Sequence, residues 1–155
     1  MKLHVITISD RASKGEYEDQ SGPSIEEIIY KTYHDASISR EIVPDEHEEI
    51  LGALERGADS DIILTTGGTG ISERDITPEV SRVFCDRELP GIAEALRMES
   101  YRETPNALLS RGFAGMKGRC LVINLPGSVK AAQFCTRIIA PILEHAVAMA
   151  AGGGH

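Results

Sequence analysis

Hydrophobic positions along the chain change period several times, and the changes divide it into strands and helices. Residues 3–9 carry a near-continuous apolar run around Val5, Ile6 and Ile8, which predicts a first strand. Residues 10–20 are polar and predict a loop. Ser21-Gly22-Pro23-Ser24 then opens a helix through Ile25, Ile28, Ile29 and Tyr33, its early proline and serines fitting a helix entry. Residues 36–43 predict a second strand. Pro44-Asp45-Glu46-His47-Glu48 opens another helix, with Ile50, Leu51 and Leu54 at helical spacing. A third strand is expected at 61–66, helices at 78–84 and 91–98, a later strand at 119–125, and a closing helix at 128–150. Strands alternating with helices imply a mostly parallel sheet covered on both faces. The expected fold class is therefore α/β, a three-layer α/β/α domain over residues 1–151, with 152–155 as a frayed tail.

Under this architecture the polar residues after each strand gather along one rim. Ser9-Asp10, Pro44-Asp45, the stretch from Gly67 to Asp75, and Asn124 to Ser128 all fall there. The third of these is the most informative. Thr65-Thr66-Gly67-Gly68-Thr69-Gly70 ends an apolar run with three glycines in four positions, and Arg74-Asp75-Ile76-Thr77-Pro78-Glu79 follows as a helix start with Thr77 as its cap. Amides in a glycine-rich turn approach an anion with no Cβ in the way, and ligands of open α/β sheets bind at the carboxyl ends of strands. The segment reads as a phosphate site with a carboxylate beside it that can hold a metal. It is neither a Walker loop, because Ile71 and Ser72 follow Gly70, nor a dinucleotide fingerprint, because Glu73 stands where the last glycine would be.

Composition narrows the partners. The 155 residues suit one domain that buries about two-thirds of its unfolded surface. A net charge of −8 argues against a nucleic-acid-coating surface, which needs Lys and Arg. A small anionic ligand then requires turn amides, a helix N-terminus, an arginine or a cation. Cys85, Cys120 and Cys135 are odd in number, unpaired in spacing and set in apolar runs, so buried free thiols in a reducing cytoplasm are expected. The five histidines are scattered, which speaks against zinc. No leader is visible after Met1, and the apolar region 138–151 is interrupted by Pro141, Glu144 and His145. The expectation is a cytoplasmic protein with no membrane span.

Five pieces in order resemble one family. They are Ser9-Asp10; Ser21-Gly22-Pro23; Pro44-Asp45-Glu46; Gly67-Gly68-Thr69-Gly70 with Arg74-Asp75-Ile76-Thr77-Pro78-Glu79; and Leu109-Ser110-Arg111 followed by Asn124-Leu125-Pro126-Gly127. Together, over residues 3–145, they are similar to the molybdenum-cofactor biosynthesis fold, and to its MogA-type molybdopterin adenylyltransferases rather than the related MoaB proteins. Val129 departs from the family, which often has a second proline there.

The resemblance implies a homotrimer in which the terminal phosphate of molybdopterin attacks the α-phosphate of MgATP and releases pyrophosphate. It implies Asp45 and Asp75 as the catalytic and Mg²⁺-holding carboxylates. It implies substrate contacts from Ser9, Asp10, Ser21, Gly67, Gly68, Thr69, Gly70, Arg74, Thr77, Ser110, Asn124, Pro126, Gly127 and Ser128. A downstream metal-insertion protein is the implied partner.

Each reading has a plain rival. Asp45 with Glu48 fits a capping box, Asp75 with Arg74 a surface pair, and Ser128 an N-cap. Asn124 fits a ligand amide or a neighbouring loop. At the level of function the rivals are a noncatalytic molybdopterin-binding protein of the MoaB type and a flavodoxin-like domain. Aromatics at 5% with no tryptophan supply a flavin poorly.

Overall fold

The computed structural model describes residues 1–153. Six strands form one sheet: β1 (Lys2–Ile8), β2 (Ser37–Val43), β3 (Ile62–Thr66), β4 (Arg87–Glu88), β5 (Ala114–Lys117) and β6 (Cys120–Leu125). Their spatial order is β2-β1-β3-β6-β5-β4. The first four in that order are parallel, while β5 runs antiparallel to both β6 and β4. The sheet is thus mostly parallel, as the alternation of elements implies. The short antiparallel edge of β4 and β5 is absent from the sequence reading, because Ala114, Gly115 and two charged residues carry no apolar run.

Six α-helices cover it: α1 (Asp10–Ser13), α2 (Ser21–Thr32), α3 (His47–Gly57), α4 (Thr77–Phe84), α5 (Pro90–Glu103) and α6 (Val129–Ala150). Side chains of a strand alternate between faces, and β1 shows both cores at once. Leu3 and Val5 pack with Ile25, Ile29, Leu96, Ile139 and Leu143 of α2, α5 and α6. Ile6 and Ile8 pack on the other face with Ile50, Leu54, Val80 and Phe84 of α3 and α4. All these side chains are under 10% exposed, as strands covered on two sides require.

Three local expectations differ. Residues 10–13 form α1 rather than loop, because Ser9 Oγ accepts the Ala12 amide and caps it. Helix α5 runs five residues beyond the predicted end at 98, and a 3-10 turn, Pro105–Leu109, follows it. Thr77 does not cap α4; it is the first helical residue and its hydroxyl donates instead to the Gly67 carbonyl at 3.0 Å. The expected frayed tail falls partly outside the described residues. Gly152 and Gly153 lie within them and donate to the carbonyls of Met149 and Ala148. No helix among the described residues is long and apolar enough to cross a membrane.

The order of strands decides where a ligand goes. From β1 the chain passes to α2 on one face, and from β3 it passes to α4 on the other, so the loops after these adjacent strands part company. That divergence opens a crevice at their carboxyl ends.

Candidate active site

The loop from Gly67 to Ile76 sits at this crevice. Gly67 and Gly68 have φ of 105° and 64°, values that favour glycine. A Cβ on Gly67 would lie 2.2 Å from the Ile8 carbonyl oxygen of β1, and one on Gly68 would lie 2.3 Å from Thr77 Oγ1. These glycines therefore let two strand ends and a helix start close together. From Gly68 onward, the amides of Gly68, Thr69, Gly70 and Ile71 find no acceptor among the described residues. Consecutive unpaired N–H groups form a concavity suited to an anion.

Two cavities meet at this loop. One, of about 450 Å³, runs from Gly68, Thr69 and Gly70 across Ser110, Pro126, Gly127 and Ser128 to Leu96, Ser100 and Cys135. Its size falls in the range of small-molecule sites, about 300–1,000 Å³. The other, of about 220 Å³, is lined by Ser9, Ser21, Asp45 and Gly67 together with Tyr17 and Asp19. Gly68, Asp75 and Gly127 line both, so the glycine loop and Asp75 stand between them.

The carboxylates are held from several sides. Asp45 does not form a capping box: the residue before α3 is Glu46, which makes no capping bond. Asp45 Oδ2 instead accepts the Asp10 amide at 3.0 Å, while Asp10 Oδ1 accepts the Asp45 amide at 3.0 Å. This reciprocal link joins the loops after β1 and β2. Burial pushes the Asp45 carboxyl above the usual aspartate range, and the charges of Asp10 and Asp75 push the same way. Asp75 is half-buried, and its Oδ2 accepts the Ser72 amide at 3.0 Å.

Arg74 is not a simple partner of Asp75. Its guanidinium bonds Asp10 through Nε at 3.1 Å and Nη2 at 2.9 Å, and Glu46 at 2.8 Å. Hydrogen bonding from Arg74 holds the Asp10 carboxyl below its ordinary range. Asp10, Arg74 and Thr77 line neither cavity; they brace the rim.

Asn124 is engaged by the protein rather than left open. Its Nδ2 donates to Thr65 Oγ1 and Ser81 Oγ, each at 2.9 Å, and its Oδ1 accepts the Phe113 amide at 3.1 Å. Ser128 caps α6 by accepting the Ala131 amide at 3.3 Å, and it also lines the larger cavity. Ser110 Oγ accepts the Gly112 amide. The Pro126 carbonyl accepts from Thr66 Oγ1.

Sequence reasoning missed Asp19, which accepts from Thr7 Oγ1, Ser21 Oγ and the Gly22 amide and so caps α2 in place of the serines. It also missed Glu46 and the α5 wall of the larger cavity. Leu96 and Ser100 sit at ordinary helical spacing, which looks the same for a core face and a cavity wall.

The three thiols are free, with Cys120 and Cys135 buried and Cys85 half-buried. Burial pushes Cys85 up to about 11 and Cys120 to about 12, so neither is a thiolate at neutral pH.

Comparison with known proteins agrees with this arrangement. The family profile described as "Probable molybdopterin binding domain" matches residues 4–145. The chain belongs to the molybdopterin-binding domain family of molybdenum-cofactor biosynthesis. Within the family, a molybdopterin adenylyltransferase of Helicobacter pylori is 41% identical over 154 residues, covering 97% of this chain and 88% of that protein. The molybdopterin biosynthesis enzyme MoaB of Thermus thermophilus superposes with a TM-score of 0.89 at 41% identity, over 97% of this chain and 96% of its own. A structure of MogA superposes with a TM-score of 0.90 at 35% identity, covering 97% and 99%. The backbone is thus about equally close to the MoaB and MogA structures.

Proposed function

We propose that the chain adenylylates molybdopterin with MgATP. The observation that carries this reading is the run of amides from Gly68 to Ile71 without an acceptor among the described residues, in which Gly68, Thr69 and Gly70 line the ring-sized cavity and Gly68 lines the carboxylate-bearing one as well. The larger cavity takes a ring system of the substrates, and the phosphates lie along the glycine loop at the wall the two cavities share. On a chain of net charge −8 this is a local solution to the repulsion between protein and polyanions.

Asp45 and Asp75 fit Mg²⁺. They are half-buried, they come from separate strand-end loops, and burial raises the Asp45 carboxyl, with the charges of Asp10 and Asp75 acting in the same direction. Such a pair is relieved by a cation, and Mg²⁺ characteristically takes one or two carboxylates, with phosphate oxygens and water completing its shell. When bound, the ion supplies charge neutralisation at the phosphates.

In the reaction a terminal phosphate oxygen of the pterin forms a bond to the α-phosphorus of ATP. The bond from that phosphorus to the bridging oxygen breaks, and pyrophosphate leaves with the electron pair. The loop amides, left without acceptors among the described residues, hold the equatorial oxygens. Thr77, through the Gly67 carbonyl, and the Asp10–Asp45 link keep the loops at fixed separation.

The same reading assigns the protein to the cytoplasm. It also assigns a homotrimer, supported by exposed Met98 and Tyr101 on α5 and Ile142 and Met149 on α6, and a downstream metal-insertion protein as recipient of the product.

The test is to mix purified protein with molybdopterin, ATP and Mg²⁺. Pyrophosphate release that needs all three supports the enzyme. Pterin binding with no pyrophosphate would instead make the chain a carrier.

A further inference from the structure

Arg111 lies between the 3-10 turn and β5, far in sequence from the glycine loop, yet its donors converge on that loop. Its backbone amide donates to the Thr69 carbonyl at 2.9 Å. Its Nε donates to the Gly70 carbonyl at 2.7 Å. Its Nη2 donates to the Asp75 carbonyl, and both terminal nitrogens reach the Glu79 carboxylate in the first turn of α4. One residue thus holds the loop at its glycines, at its carboxylate-bearing end and at the helix that follows. The Glu79 carboxyl is lowered although burial alone would raise it, because Arg111 bonds the ionised form.

The geometry has a directional consequence. In a planar trans peptide the C=O of one residue and the N–H of the next point opposite ways. Turning the Thr69 and Gly70 carbonyls toward Arg111 therefore turns the Gly70 and Ile71 amides away from it. Those are two of the four amides that find no acceptor among the described residues. Holding the Asp75 carbonyl fixes the backbone from which the Asp75 carboxylate projects. Arg111 itself lines neither cavity, so it acts through the loop.

We infer that Arg111 is the positioning residue for adenylyl transfer: its backbone amide holds the Thr69 carbonyl, and its guanidinium fork sets the Gly70–Ile71 peptide plane and the aim of Asp75. This rests on the function proposed above. A lysine keeps the charge and the pairing with Glu79, but an ammonium is a point donor on a flexible stem and cannot match a planar fork across two carbonyls. The arginine is needed for geometry, not for charge.

The experiment compares Arg111→Lys and Arg111→Ala in the full chain. Both are expected to fold, with kcat for pyrophosphate release down about 10²-fold, the scale of a misplacement near 1 Å, and a much smaller change in KM for ATP. Guanidinium chloride at millimolar concentration restores part of the rate of Arg111→Ala and none of that of Arg111→Lys. Wild-type kcat in either folded variant overturns the inference. A second readout needs no turnover: amide exchange at Ser72, Arg74, Asp75 and Thr77 speeds up in Arg111→Lys, while exchange in β1 and β3 stays as it was. Unchanged exchange in the loop also overturns it. A wild-type protein that releases no pyrophosphate sinks the proposed function, and the exchange result then decides separately whether Arg111 positions the loop.

Discussion

Asp45 ties two strand-end loops together while carrying a charge that its surroundings oppose, and a single substitution separates the two roles. Asn keeps an oxygen for the Asp10 amide and removes the charge. Asp45→Asn is therefore expected to leave the melting temperature within a few degrees of wild type and to slow adenylyl transfer about 10²-fold or more, the scale of losing one preorganised electrostatic group. Wild-type turnover would reduce Asp45 to a structural link. Asn124 calls for the opposite outcome. Its amide satisfies Thr65, Ser81 and the Phe113 backbone in a buried setting. Asn124→Ala leaves these groups unpaired and should cost about 2–4 kcal/mol in urea unfolding, each orphaned buried partner costing about 1–3. A loss under about 1 kcal/mol would mean that the network relaxes or admits water. Both residues stand out in the sequence, one as an acid after a strand, the other as a lone polar side chain in an apolar run. Their partners do not, because Asp10 lies 35 residues from Asp45 and Thr65 lies 59 from Asn124. Only the register of adjacent strands brings those pairs together.

Among the elements, the loop after β3 is held by close backbone approach, and its glycines test this directly. Gly68 has φ of 64°, and a Cβ there would sit 2.3 Å from Thr77 Oγ1 and 3.0 Å from Asp45 Oδ1. Gly68→Ala is expected to destabilise the fold by about 1–3 kcal/mol, from left-handed strain and local displacement. It should weaken ATP binding at least tenfold by calorimetric titration, because the shifted loop no longer presents its amides together. Full ATP affinity in a folded Gly68→Ala protein would remove the loop from the phosphate site. This loop was legible because glycine spacing after an apolar run has a direct steric meaning. So were the four parallel strands, short and mostly apolar between polar turns, and the longer helices, whose apolar positions repeat about every 3.6 residues. The antiparallel edge was not legible. Strand β4 has two residues, both exposed and charged, and β5 pairs small residues whose burial comes from neighbours rather than from their own hydrophobicity. The covalent neighbourhood of Ser110-Arg111 likewise says nothing of the carbonyls it meets across the crevice.

For the molecule as a whole, charge and surface set the remaining expectations. Exposed apolar side chains on α5 and α6 leave surface that a closed ring would cover. Light scattering at micromolar concentration should report three times the 16.8 kDa chain mass. A clean monomer over that range would end the trimer without touching the chemistry, since both cavities and all the strand-end loops described belong to one chain. The proposed transfer requires phosphates on the amides of the glycine loop, with Asp45 and Asp75 beside them. The most direct measurement follows the adenylyl group by mass spectrometry in a single turnover of purified protein with molybdopterin, ATP and Mg²⁺. The pterin should gain one adenylyl group for each pyrophosphate released. An unchanged pterin accompanied by free AMP, or by ADP and phosphate, would contradict it.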